Sequence, residues 1–233
     1  MPEKSISLII PTFNEVENIR ETLSRSINVL DGSGCSYEIL VIDDFSPDGT
    51  AAAAETILGN KGRVVIRKGK SSGLSASIID GLSESQGEYL IIMDADGSHP
   101  PELIREFVAA ISLGYELIVA SRYIKDGGTC RLPLRLRIIS LLGCLFGSAL
   151  TKIRDNTSGF FCIKKSALNG VILAPYGFKI GLEILVKAKY RNFKEIPYIF
   201  SARNKGKSKL SAKIILQYFQ QYISLLFRVR KSA

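Results

Sequence analysis

Short, nearly uncharged apolar runs recur through the first half of this chain, each followed by a segment of helix length. Residues 5–11, 37–44, 89–94 and 115–121 are the clearest runs, with a shorter one at 63–67. Residues 16–30, 50–58 and 72–85 read as the intervening helices, with Asn14 the expected N-cap of the first. Pro100-Pro101 opens another helix to about Leu113, since proline in a first turn sacrifices no helical hydrogen bond. Alternation of this kind builds βαβ units on a parallel sheet whose strands are buried on both faces. The expected fold is therefore α/β, a Rossmann-like, mostly parallel sheet flanked by helices. Three strands close on polar residues: Pro11-Thr12-Phe13-Asn14-Glu15, Asp43-Asp44 and Asp94-Ala95-Asp96. Ligands bind beyond the carboxyl ends of such strands, so these groups are expected to meet at one edge in an arrangement suited to a nucleotide.

The second half has a different character. Of 31 Lys+Arg and 22 Asp+Glu, residues 1–126 carry 11 and 19, whereas residues 127–233 carry 20 and 3. That asymmetry suggests a polyanion facing residues 127–233, either nucleic acid or an anionic membrane surface, against the plainer alternative of a solvated basic face. No nucleic-acid motif accompanies the charge, and two apolar segments favour lipid. Residues 138–151 are uncharged but span only about 21 Å as a helix, short of a ~30 Å hydrocarbon core. They form a buried core helix or an interfacial one, not a membrane span. Residues 209–229 place Leu210, Ile214, Tyr218, Tyr222, Leu225 and Val229 at helical spacing between basic ends. An amphipathic helix at the bilayer interface is favoured there over a core helix with a basic tail. With no secretory leader at residues 1–5, the chain is expected as a peripheral protein on the cytoplasmic face of a membrane. The four cysteines lack C-x-x-C spacing, which argues against a zinc ribbon and fits reduced thiols.

Asp94 and Asp96, two residues apart after a buried strand and before Gly97, are placed to share a divalent cation, Mg²⁺ or Mn²⁺, with substrate phosphates. Arg203-Asn204-Lys205-Gly206-Lys207-Ser208-Lys209 is a glycine-punctuated basic loop with the charge to neutralise a diphosphate, or an ordinary basic linker. Arg122 follows its strand at the same sheet edge. Neither Gly69-Lys70-Ser71 nor Gly206-Lys207-Ser208 has a glycine five residues earlier, so no P-loop is present. No G-x-G-x-x-G follows the first strand, which argues against a standard dinucleotide site. His99, the sole histidine, sits in a helix lead-in, which disfavours Ser-His-Asp chemistry.

Taken in order, Ile10 to Glu15, Ile42 to Thr50, Met93 to Glu102, Ser121-Arg122-Tyr123, Gly127-Gly128, Ser158-Gly159-Phe160 and Gly206-Lys207-Ser208-Lys209 resemble the dolichol-phosphate mannosyltransferases, family 2 glycosyltransferases of GT-A fold. The resemblance spans nearly the whole of residues 1–233, as one GT-A domain in the short form without a transmembrane extension. It implies inverting sugar transfer, from GDP-mannose or alternatively UDP-glucose, to a dolichyl or polyprenyl phosphate. A soluble acceptor is the other alternative, and an integral membrane anchoring partner is a further possible component. It also implies roles. Pro11, Phe13, Glu15, Ile42 and Asp44 would hold base and ribose, and Asp94 and Ala95 the nucleotide. Asp96 would hold the metal, with Asp94 and with Ser98, which stands where many members have Gln. Arg122, Arg203 and Lys209 would meet the donor diphosphate, so that Asp96, Arg203 and Lys209 form the catalytic electrostatic clamp. Arg137 and Ser140 would meet the lipid phosphate, Leu136 and Phe161 standing where relatives often carry Arg.

Overall fold

The computed structural model describes residues 4–69, 73–174, 180–201 and 220–227. Strands β1 (Ser5–Thr12), β2 (Ser36–Asp43), β3 (Gly62–Ile66), β4 (Tyr89–Ile92) and β5 (Leu117–Ser121) follow the apolar runs. Between them come α1 (Val16–Asp31), α2 (Thr50–Leu58), α3 (Leu74–Glu84) and, after a short 3₁₀ turn, α4 (Ile104–Ser112). The second half adds β6 (Gly128–Cys130), α5 (Leu134–Gly147), β7 (Phe161–Lys164), α6 (Ile180–Lys187), β8 (Phe193–Pro197) and β9 (Ile199–Ser201). Seven strands form one sheet in the order β3-β2-β1-β4-β7-β5-β8, while β6 and β9 pair separately. Every neighbour in the large sheet is parallel except β7, which runs antiparallel to both β4 and β5.

The strands are apolar because both faces are covered. On β1, Ile6, Leu8 and Ile10 pack against Ile19 and Leu23 of α1 and Phe107 of α4, while Ile9 faces the opposite layer with Ile78 of α3 and Ile184 of α6. This is the period-two alternation of a pleated strand read into two cores. All parallel strands therefore deliver their carboxyl ends to one edge, as expected.

The expected N-cap of α1 is corrected: Asn14 lies at φ +58° and the cap position is Glu15. Asn14 takes the left-handed region rather than the extended conformation of an N-cap, and its N–H donates to Ser46 Oγ at 3.0 Å.

Helix α5 overturns the core-helix alternative for residues 138–151. It begins at Leu134, and of its fourteen residues only Cys144 and Gly147 are buried. Leu134, Ile138, Leu141, Leu142 and Leu145 recur at i, i+4, i+7, i+8 and i+11, so they share one face, and that face is open to solvent. The helix is held at its other end. Asn156 Nδ2 donates to the Cys144 carbonyl at 2.9 Å, and Gly147 makes room, since a Cβ there would fall 2.1 Å from Asn156 Oδ1. No helix among the described residues is long and apolar enough to cross a membrane. Of the expected helix over 209–229, residues 220–227 are described and helical. There Leu225 is buried against Leu182 of α6, and Tyr222 meets Phe146 of α5 edge-on at 6.0 Å. The rest of that segment lies outside the described residues.

Candidate active site

The loops after β1 and β2 are stitched to each other. Glu15 N–H donates to Thr50 Oγ1 at 2.9 Å, and Val16 N–H to Asp48 Oδ2 at 3.2 Å. The other Asp48 oxygen accepts the Thr50 N–H and hydroxyl; despite the opposing effect of burial, these bonds hold the carboxyl below its ordinary pKa. Asp43, almost fully buried, accepts from Thr12 Oγ1, Ser46 Oγ and Ser46 N–H. Each loop also holds one non-glycine residue in the left-handed region, Asn14 at φ +58° and Phe45 at φ +56°. Such conformations cost roughly 1–3 kcal/mol and persist where the surroundings over-determine them.

A tight turn follows β4. Gly97 takes φ +78°, a conformation that glycine adopts without strain. Asp96 Oδ1 accepts the Ser98 N–H at 3.0 Å, and His99 Nδ1 accepts the Asp94 N–H at 3.1 Å. Thr22 Oγ1 of α1 ties down the Ala95 carbonyl at 3.0 Å. Asp94 and Asp96 both line a cleft of about 420 Å³, whose other walls include Arg122, Arg135, Leu136, Ser158 and Tyr198.

Arg122 stands at the end of β5, but its guanidinium is engaged. Nε and Nη2 donate to the two oxygens of Asp155 at 2.7 Å each, Nη2 also reaches Thr157 Oγ1 at 2.9 Å, and the backbone N–H completes the set on Asp155. Burial opposes the Arg122 charge, yet the paired carboxylate outweighs it and raises the pKa above the ordinary arginine value. The Cys144 thiol of α5 touches Thr157 Oγ1 at 3.1 Å; burial, reinforced by Asp155, pushes its pKa up to about 11. Burial likewise raises the phenol of Tyr198.

The structure thus brings Asp94, Asp96, Ser98 and Arg122 into one cleft. Phe13 is exposed at the same carboxyl edge, and Glu15 is buried with Oε2 accepting from Asn18. Pro11 ends up buried near the end of β1. Ile42, on β2, is fully buried in the core with Ile9 and Ile78. Asp44 accepts from Arg67 Nη1 and, at 2.8 Å, from the Gly73 N–H. Arg137 is exposed and Ser140 half-buried on α5, neither among the residues lining the cleft; Arg135 does line it. Arg203 and Lys209 lie outside the described residues. Asp155 and the structural part played by His99 escaped the sequence reading. Asp155 belongs to no apolar run, and its only signal was being one of three acids in a basic half.

Among the described residues, no three His, Cys, Asp or Glu side chains form a metal cage. The donor set is two carboxylates at an open cleft, which suits a hard divalent cation that takes a carboxylate or two and completes its shell with water and phosphate.

A mostly parallel sheet with a carboxylate turn at its central strand is the architecture of the GT-A glycosyltransferases. A crystal structure of glucosyl-3-phosphoglycerate synthase from Mycobacterium tuberculosis, in complex with Mn²⁺, UDP-glucose and phosphoglyceric acid, shares this fold. It matches with a TM-score of 0.68 at 19% identity, over 97% of this chain and 79% of that one. Residues 7–171 match the model for glycosyl transferase family 2, and the chain belongs to that family. It is 42% identical over 225 residues to a dolichol-phosphate mannosyltransferase of Pyrococcus furiosus, covering 95% of this chain and spanning 63% of the relative's length. The dolichol-phosphate mannosyltransferase of Saccharomyces cerevisiae is 32% identical, with 92% of this chain and 84% of that one covered.

Proposed function

We propose that this chain transfers mannose from GDP-mannose to a dolichyl or other polyprenyl phosphate lying at a membrane surface, with inversion at the anomeric carbon. The observation that carries the reading is the composition of the cleft. Asp94 and Asp96 line it together with Arg135 and Leu136 from the N-terminal end of α5. That end is doubly electropositive. A helix N-terminus already favours anions, and α5 adds Arg135 and Arg137 with no acid in its first turn. An anionic acceptor head suits this end, and the open apolar face of the same helix suits an acyl or prenyl layer. The relatives are named for mannosyl transfer and dolichol phosphate, which supports that sugar and that acceptor.

The chemistry asks little of a general base. A phosphate monoester is anionic at neutral pH, so its oxygen can attack C1 directly. The C1–O bond to the diphosphate breaks, and the nucleoside diphosphate departs with the electron pair. Catalysis then consists of placing the acceptor oxygen behind C1 and stabilising the leaving charge. Mg²⁺ or Mn²⁺, held by Asp94 and Asp96 with Ser98 beside them, would supply positive charge against that diphosphate. Arg203 and Lys209 are assigned to the same clamp by the family resemblance. By the same resemblance Pro11, Phe13, Glu15, Ile42 and Asp44 are assigned to base and ribose, and Arg137 and Ser140 to the acceptor. The protein would work at the cytoplasmic face as a peripheral enzyme.

The test is transfer of labelled sugar to a short polyprenyl phosphate, with GDP-mannose and UDP-glucose offered separately, in Mg²⁺ or Mn²⁺ and in EDTA. Organic-extractable label from GDP-mannose that EDTA abolishes is the expected result. Label from UDP-glucose alone moves the donor and keeps the mechanism. Label that survives EDTA overturns the metal assignment, and no label from either donor overturns the reading.

A further inference from the structure

His99 is the only histidine of the chain, and the reaction above uses it neither as acid nor as base. It is nevertheless placed with care. The residue is 2% exposed, its ring stacks on Phe160 with centroids 5.1 Å apart, and Tyr198 and Phe200 meet it edge-on. Held in this aromatic slot, Nδ1 accepts the Asp94 N–H at 3.1 Å. An accepting Nδ1 carries the lone pair, so the neutral ring bears its proton on Nε2. Met93 makes the last rung of the ladder to β1, donating to the Ile9 carbonyl at 3.1 Å. Asp94 is the first amide beyond the ladder, and His99 supplies the acceptor the sheet no longer offers. Gly159 borders both groups: a Cβ there would stand at contact distance, 3.4 Å, from Asp94 Oδ2 and from His99 Cε1.

We propose that His99 is a positioning residue: by accepting the Asp94 amide from a ring locked against Phe160, it sets the direction in which Asp94 and Asp96 enter the cleft. The inference rests on the reading of that cleft as a site for a divalent cation and a nucleoside diphosphate. Filling the slot requires only an aromatic ring; orienting Asp94 requires an acceptor at the place of Nδ1. His99→Phe keeps the ring and removes the acceptor from the part-buried Asp94 N–H. His99→Asn removes the ring but can present an oxygen at that place.

Binding of Mn²⁺ with GDP or with UDP, measured by calorimetry beside thermal melting, separates the two roles in wild type, His99→Phe, His99→Asn and Asp96→Ala. Removing a partner that orients a metal ligand typically weakens metal binding about 10–100-fold, and His99→Phe is expected in that range. His99→Asn is expected within a few-fold of wild type. His99→Phe binding as tightly as wild type, or His99→Asn binding as weakly as His99→Phe, overturns the inference. Wild type taking up neither nucleotide, or Asp96→Ala binding unchanged, overturns the site reading instead. Should a variant fail to fold, ¹⁵N-histidine NMR of the unaltered protein decides. One residue gives one pair of ring nitrogens, expected at neutral pH as an unprotonated Nδ1 and a protonated Nε2. A protonated Nδ1 on a neutral ring overturns the proposal.

Discussion

Arg122 and Asp155 form the most committed side-chain pair beside the cleft, with side-chain exposures of 7% and 0%. Removing one partner of a buried pair leaves the other charge uncompensated, at a cost of roughly 3–5 kcal/mol. Asp155→Asn is therefore expected to lower stability by about that amount, read as a shifted denaturation midpoint with an unchanged slope. An unshifted midpoint would mean that solvent reaches the pair. This residue scale is also where sequence legibility is most uneven. Asp94 and Asp96 stood out because they end an apolar strand. Asp155 did not, because its meaning lies in a contact with Arg122, 33 positions earlier. His99 resembled a helix lead-in, and only the fold reveals that its ring faces Phe160 and the Asp94 amide.

Helix α5 shows what an element contributes beyond its residues. Its apolar face does not pack into the described core, while its C-terminal end is anchored through Asn156 and Gly147 to the loop that carries Asp155. The same helix lines the cleft at its other end, through Arg135 and Leu136. Leu141 and Leu145, 57% and 67% exposed, can be made acidic with little effect on the core. The double variant Leu141→Glu/Leu145→Glu is expected to lose binding to anionic vesicles in a sedimentation assay while its stability stays within about 0.5 kcal/mol per site. Retained sedimentation would remove α5 from the membrane-facing surface. The helix itself was legible as an uncharged stretch. Its exposure was not, because an apolar run has the same composition whether protein or lipid covers it. Strands β1 to β5 were legible for the opposite reason: a parallel sheet covered on both sides leaves continuous apolar runs. Of the later strands, β6 and β9 have three residues each, and β8 carries Lys194 and Glu195 mid-strand, so none of these marks itself as an apolar run.

Across the whole molecule, charge and topology divide the chain differently. Residues 127–233 contain three acids, and all three are spent internally. Asp155 holds Arg122, Glu183 pairs with Lys187, and Glu195 accepts the N–H groups of Arg154 and Asp155. Among the described residues, Lys187 is matched by an acid of this half and Arg191 by Glu116 of the other. Topology runs across that division, because β7 from the basic half sits between β4 and β5 of the acidic half. Residues 1–126 expressed alone are expected to lack cooperative unfolding, since β5 then has neither β7 nor β8 beside it. A sharp thermal transition of that fragment would show that the first four strands suffice.

The inverted strand has a consequence for how the protein is made. Translation delivers β5 well before β7, yet β5 is joined to β4 only through β7. The nascent chain that leaves the ribosome thus carries a finished but unseated strand, with Leu117 and Val119 awaiting a neighbour not yet synthesised. The carboxylate turn after β4 waits as well, until residues 158–160, just ahead of β7, arrive to bring Phe160 beneath His99. The cleft is complete only once β9 has been made, since Tyr198 and Phe200 help to line it.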